Sequence, residues 1–533
     1  MSGQARRPAR QLPCIRSPAT VDLVTVARSR VTRACAVGSV VLAVAAPLSC
    51  GRPERPAPDT SASTSTAPTS TAPVVPRADA PYLPREELVA PVSQLMNDAI
   101  AAPRLPGAVV QIGHAGEIVF RQAFGARKLA DEPGLDGSPA PAEPMTEDTI
   151  FDLASLTKIL ATTTAVLQLY EQGRIQIDDS VQTYLPEFNA ANDPQRAQVT
   201  LRMLLTHTSG IGGDLSHQGP WGLTQADKGD GIHRALTAPL ELGPGQTFHY
   251  SDIGFIILGA LVEKIAGQPL DSYVQDKVFA PLGMTDTRFL PAAKACGPHQ
   301  IRGTAIAFDN AASAAAACPT GTWSTDLLVR IAPTAHDEDT PGINPDYDHL
   351  LRGTVHDPTA RRMGGVAGSA GVFSTAHDVG RYAQALLDRL AGRPSPFPLR
   401  RSTLELMTTP QQPGHDPAQL AAANAATRDA SATTPNPTDP LLAASYPAIA
   451  GQNLRGFGWD IDTPHSRPRG RVFPIGSFGH TGFTGVTVWI DPGSDTYVIV
   501  LANVIHQRGG PPIAGLSGDV ATVTGQALHL YDA

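Results

Sequence analysis

A chain of 533 residues has room for two or three average domains, although a composite α/β enzyme can use that length as one unit. Its formal net charge of −8, with no basic stripe, argues against nucleic-acid binding. Aromatics make up only 5% while Gly and Pro number 49 each, which points to long irregular segments beside a globular part. The fifteen histidines are scattered with no HExxH pairing, so no metal and no other cofactor is expected.

In chain order, residues 1–50 read as an export signal. Arg28, Arg30 and Arg33 precede an apolar run from Ala34 to Leu48, too short for a membrane span, which closes on Ser49-Cys50. Cys50 directly after that core is a candidate for lipidation, although Pro47 departs from the Leu usual at such sites. The expectation is an exported, cell-envelope protein, membrane-anchored through Cys50, or else periplasmic or secreted. Residues 51–82 are rich in Ser, Thr, Pro and Ala without an apolar face, and read as a disordered tether. Of five cysteines, only Cys296 and Cys318 would remain in the exported body. In an oxidising compartment they read as one disulfide, with two independent thiols as the alternative.

The folded part is expected over residues 83–533. Apolar residues at helical spacing predict a helix over Glu86–Ala101, and two short strands, Ala108–Gly113 and Ile118–Ala123, are expected as a hairpin joined through His114-Ala115-Gly116-Glu117. Further helices are expected at Leu156–Tyr170 and Gly254–Ala266, the latter apolar nearly all round and therefore central. The acidic stretch around Asp337, Asp339 and Asp346 reads as a solvated loop rather than a Ca²⁺ site. A helix follows Thr375, whose spacing to Asp378 resembles a capping box. Residues 410–447, rich in Ala, Pro, Thr and Asn, read as a flexible surface insertion. Strands at Thr484–Ile490 and Thr496–Ala502 close the pattern around an Asp-Pro-Gly turn. Strands, helices, then strands again describe an α/β (α+β) fold: an antiparallel sheet flanked by helices, with a helical subdomain inserted at about 156–365.

Three motifs carry chemistry. In FDLASLTKILATT, Ser155 and Lys158 stand at i and i+3 of a helix start, so the amine can reach the hydroxyl it would have to activate. Only six lysines occur in the chain, and this one sits in an apolar, Thr-rich stretch where an unpaired ammonium would be costly. Tyr250-Ser251-Asp252 leads into the central helix. Taken alone it reads first as a core tyrosine and a helix-capping aspartate, and second as a general acid or base with Asp252 holding Lys158 or orienting Tyr250. His480-Thr481-Gly482 opens a strand whose glycine permits close backbone approach and whose edge offers N–H groups to a carbonyl.

The order SxxK, YxD and HTG is similar to the serine β-lactamase and penicillin-binding-protein superfamily. It most resembles the branch of class C β-lactamases, DD-peptidases and related esterases, as do LLTHTSGI at 204–211 and the segment 351–387, which is similar to penicillin-binding-protein-4B-like peptidases. The resemblance implies that Ser155 forms the acyl-enzyme while Lys158 and Tyr250 share proton transfer. It also implies an oxyanion hole from the N–H groups of Ser155 and Phe483, and contact of His480 and Thr481 with a substrate carboxylate. Two positions depart from the branch. Asp252 replaces the usual Asn, and His480 replaces the Lys of class C β-lactamases, removing a permanent cation. The expected substrate is therefore a D-alanyl peptide or a carboxylic ester before a β-lactam. A cell-wall or β-lactam sensor without catalysis is the reading from another class.

Overall fold

A computed structural model describes residues 79–307, 317–433, 447–507 and 513–532. The expected export signal, Cys50 and nearly all of the tether lie outside the described residues.

An eight-stranded antiparallel sheet organises the described chain. Its order runs Leu454–Arg455, Asp460–Asp462, Phe478–Gly482, Val486–Asp491, Thr496–Ala502, Gly107–His114, Glu117–Lys128 and Glu143–Pro144. N- and C-terminal strands meet at the centre, where Val110 pairs with Val500. The strands are apolar on both sides because both faces are covered. Ala108, Val110, Ile112, Val498 and Val500 pack on one face against helices Glu86–Ala101 and Ala514–Ala527. Val109, Ile499, Leu501 and Val488 face the opposite layer, which holds Thr164–Glu171, Asp252–Ala266 and Ala376–Leu390.

The helix expected at Leu156–Tyr170 forms, but its first part, Lys158–Thr163, is wound as a π-helix before α-helix resumes at Thr164. Such wider turns occur mostly as single insertions and often at functional sites. Thr375 caps Ala376–Leu390 by accepting from the Asp378 N–H. Between Arg288 and Ser324 the chain forms short strands and 3₁₀ turns, and Cys296 and Cys318 are bonded there with Cα atoms 5.7 Å apart.

Two expectations need correction. The stretch 410–447 is not irregular throughout, because Gln419–Thr433 is helical. Its Asn424 side chain both donates to the Ile475 carbonyl and accepts from the Ile475 N–H, at 2.6 and 2.9 Å, and Ala423 is buried. Nor are Asp337 and Asp339 solvated. Asp337 accepts from Arg361 at 2.6 Å, and Asp339 takes the Nε and Nη2 of Arg362 at 2.8 and 2.7 Å, all four side chains being buried. The bidentate Arg362–Asp339 geometry is the strong form of such a pair. The neutralising arginines come from a helix more than twenty residues downstream, so local composition could not reveal them.

Candidate active site

Ser155 stands on a sharp turn between the strand Phe151–Asp152 and the helix that follows. That strand is held against Val372–Ser374, with Phe373 opposite Asp152. The turn requires a positive φ of 43° at Ala154, a left-handed conformation that is uncommon for a residue with a side chain. Asp152 compensates by accepting from the Ala154 N–H at 2.9 Å and the His356 N–H at 2.7 Å, while its own carbonyl accepts from Thr484 at 2.7 Å. One aspartate thereby ties together the nucleophile turn, the 351–387 segment and the strand hairpin. Burial pushes its carboxyl up to about 6 in spite of those donors.

Lys158 is fully buried and donates to the Ser155 Oγ at 2.9 Å and to the Ser369 carbonyl at 3.0 Å; its third contact is an ion pair with Asp252. Ser369 reaches it because two glycines let backbones touch. A Cβ on Gly368 would lie 2.0 Å from the Phe255 carbonyl, and one on Gly259 would lie 2.9 Å from the Gly368 Cα. Burial acts to lower the ammonium's proton affinity, but Asp252 and Tyr250 outweigh it and hold Lys158 above the usual lysine range.

The Tyr250 ring lies 5.2 Å from the Lys158 Nζ, which puts its hydroxyl beside Ser155 and Lys158. Burial pushes its hydroxyl above the ordinary tyrosine value. Behind it the imidazole of His207 stacks at 4.3 Å between centroids, and His207 Nδ1 accepts from the Ser251 N–H at 3.0 Å. This is the role of the histidine in LLTHTSGI. Ser251, not Asp252, caps the central helix: its hydroxyl accepts from the Gly254 N–H and donates to the Gly212 carbonyl. Asp252 therefore remains available to Lys158.

The strand Phe478–Gly482 forms the far wall. A Cβ on Gly482 would come within 2.7 Å of the Leu153 carbonyl, so only glycine lets this strand lie beside the nucleophile turn. Next along the chain, Phe483 is 75% exposed and its ring stacks on His356 at 5.9 Å. Thr481 is half-buried on the same edge. His480 is not arranged as the sequence suggested. It is buried, and its Nδ1 lies 2.7 Å from the Thr481 carbonyl, which can only accept, so Nδ1 carries the hydrogen. Nε2 is then an acceptor without a partner, unsuited to hold a carboxylate. Burial, with Arg455 and Lys158 nearby, keeps the ring neutral, well below the usual histidine range. The permanent cation of this wall is Arg455, which the sequence did not single out. It is buried, donates to the Gly458 carbonyl at 2.8 Å and lies over the Phe248 ring at 5.5 Å.

Ser155, Lys158, Tyr250, Asp252 and the His480–Phe483 edge thus converge on one point, while Cys296 and Cys318 belong to a separate loop. A serine beside a buried lysine, a tyrosine and a strand edge is equipped for acyl transfer. The β-lactamase family model matches residues 92–513. The chain belongs to the β-lactamase family. It is a hydrolase of that serine-dependent fold. Among its β-lactamase-family relatives, "Putative D-alanyl-D-alanine carboxypeptidase" of Escherichia coli (strain K12) is 30% identical over 405 residues, 74% of this chain and 78% of that one. "N-acetylmuramyl-L-alanine amidase" of Bacillus subtilis (strain 168) is 28% identical over 423 residues, 78% and 80% of the two chains. Unliganded simvastatin synthase of Aspergillus terreus shares the fold, with a TM-score of 0.56 at 23% identity over 83% of this chain and 99% of that one.

Proposed function

We propose that this β-lactamase-family hydrolase works through an acyl-enzyme on Ser155 and cleaves the amide of a D-alanyl peptide, in the manner of a DD-carboxypeptidase, with carboxylic esters as the next class. The observation that carries this reading is the Ser155 Oγ held at 2.9 Å by Lys158 with Tyr250 also in contact. A serine hydroxyl becomes nucleophilic when a neighbour takes its proton as the bond to carbon forms. Lys158 and Tyr250 share that proton transfer. Tyr250 passes a proton to the departing amine or alcohol, and water then repeats the sequence on the ester of Ser155. The N–H groups of Ser155 and Phe483 stabilise the oxyanion at each step.

Neutral His480 favours a peptide or ester over a β-lactam, because no mobile cation stands where a β-lactam carboxylate would seek one. Arg455 lends positive potential from behind the wall, and Thr481 offers a hydroxyl at its surface. The names of the two bacterial relatives support a cell-wall substrate. An envelope location, reached through residues 1–50 and a lipid on Cys50, fits that substrate.

A fluorophosphonate should label Ser155 in the full chain, and Ser155→Ala should remove the label. Turnover of a D-alanyl-D-alanine peptide, a p-nitrophenyl ester and nitrocefin measured in parallel then ranks the substrates. Labelling that survives Ser155→Ala sinks the acyl-enzyme, and nitrocefin turning over fastest sinks the peptidase assignment. Palmitate labelling checks the anchor: a Cys50→Ala product that still carries label excludes that cysteine.

A further inference from the structure

A cavity of about 640 Å³ opens beyond the end of the strand Phe478–Gly482, lined by Phe483, His356 and the segment 335–340. It is a ligand-sized space, since pockets for small molecules commonly hold about 300–1,000 Å³. The nucleophile turn adjoins it. Phe483 stands between two residues that touch that turn: a Cβ on Gly482 would lie 2.7 Å from the Leu153 carbonyl, and the Thr484 hydroxyl donates to the Asp152 carbonyl at 2.7 Å. His356 is fixed to the same turn, its N–H donating to the Asp152 carboxyl group at 2.7 Å.

The order of residues along the strand decides which part of a substrate meets this cavity. His480 lies beside Tyr250, with 6.1 Å between ring centroids. Phe483 follows three residues later, which at ~3.3 Å per strand residue is about 10 Å further on. Tyr250 passes its proton to the leaving group in the proposed reaction, so the leaving group belongs at the His480 end. The acyl part, which stays on Ser155, runs the other way.

Phe483 carries the argument further. A ring that is 75% exposed adds little to the core, yet it lies nearly parallel to His356, at 5.9 Å and 20°. Burial, and then Arg361, hold His356 down to about 4, so the stack is an uncharged platform at neutral pH. Deeper in the cavity, Asp337 and Asp339 are matched by Arg361 and Arg362. Around them Ala335, Ile505 and Pro358 supply apolar surface, and Gln507 adds an amide. Apolar patches interleaved with neutral polar groups suit a chain of amides better than a plain hydrocarbon.

We propose that this cavity receives the acyl part of the substrate, that the Phe483 ring is the surface on which it lies, and that it selects a peptide of two or more residues over a bare acetyl group or a hydrocarbon chain. This rests on the acyl-enzyme reading above. Phe483 thereby gains a side-chain role in specificity besides the backbone role of its N–H.

The test uses p-nitrophenyl esters that share one leaving group and differ only in the acyl part: acetyl, hexanoyl and N-acetylglycyl-D-alanyl. Each kcat/KM is divided by the rate of the same ester with hydroxide, which removes intrinsic reactivity. On the full chain the peptidyl ester should exceed the acetyl ester by at least about tenfold, because contacts remote from the reacting carbon hold it for attack. Phe483→Ala should cut that ratio at least about fivefold, through kcat as well as KM, while Phe483→Tyr keeps the platform and the ratio. Gln507→Trp, which places an indole in the cavity, should lower the ratio too. An unchanged unfolding midpoint excludes a folding defect, since the Phe483 ring is exposed. A ratio near one in the natural chain overturns the proposal, as does a hexanoyl ester that is turned over best. Equal losses on the acetyl and peptidyl esters in Phe483→Ala also overturn it, because Phe483 would then act through its backbone alone. If Ser155 is labelled by a fluorophosphonate but the ratio is flat, the acyl-enzyme stands and the cavity assignment falls. If no ester turns over and Ser155 takes no label, the acyl-enzyme reading falls. Saturation-transfer contact of N-acetylglycyl-D-alanine with the full chain, weakened by Phe483→Ala, then upholds the cavity as a peptide site, and equal signals overturn it.

Discussion

Two clusters of buried charge invite comparison. At the base of the active site one lysine meets one carboxylate, Asp252, and the carboxyl of Asp214 lies nearby. Some distance along the chain, Arg361 and Arg362 meet Asp337 and Asp339, and there donors and acceptors match. Asn344 donates to the second oxygen of Asp337, and Thr340 bridges Arg362 and Asp339. The matched cluster leaves Asp339 below the usual carboxylate range, even though burial acts to raise it, because its arginines bind the charged form. At the active site partial burial, and then the facing Asp252, push the Asp214 carboxyl up. A buried carboxylate whose lone pairs are engaged by cations stays ionised; a surplus carboxyl beside an ion pair is pushed the other way.

Ways to break that contrast can be ordered by size. Lys158→Met should reduce acylation of Ser155 by about 10⁴-fold while the unfolding midpoint stays within a few degrees, because Asp252 still reaches solvent. A large loss of stability in that variant would make Lys158 structural instead. Arg362→Met should do the reverse, costing about 3–5 kcal/mol by leaving Asp339 buried without its partner. Denaturant unfolding measures this, and a loss below about 1 kcal/mol would mean that Asp339 simply protonates. Gly368→Ala tests the neutral contact on Lys158. The added methyl has no room beside the Phe255 carbonyl, so about 1–3 kcal/mol should be lost and labelling slowed as Ser369 shifts. Equal labelling rates would show that Asp252 alone places the amine. The smallest effect is expected of Thr340→Ala, which removes one hydroxyl from the arginine cluster: about 1 kcal/mol of stability, with labelling unchanged.

Much of the site was legible because its key spacing is local. Ser155 and Lys158 are one helical turn apart, and Gly482 announces close approach whichever segment it meets. Asp152, His207 and Arg455 were not legible, since each acts on a partner brought close by the fold: Asp152 on His356, His207 on Tyr250 and Arg455 on Phe248. The only available signal was that LLTHTSGI resembled the family without a stated role for its histidine. The strands and the central helix could be read because burial on all sides writes itself into composition as unbroken apolar runs. Helix Gln419–Thr433 could not, because it rests on a small residue, Ala423, and on the Asn424 amide rather than on an apolar stripe.

The sheet's two borders bear on how copies of the chain behave when crowded. Both edge strands, Leu454–Arg455 and Glu143–Pro144, are two residues long, and Pro144 has no N–H to offer. A growing β-ribbon needs a long, straight border with free donors and acceptors on which a neighbour can zip. The outermost strands, short and one of them ending in proline, offer a second molecule little of that template. The central sheet can therefore remain broad and apolar on both faces without becoming a seed for strand-by-strand aggregation.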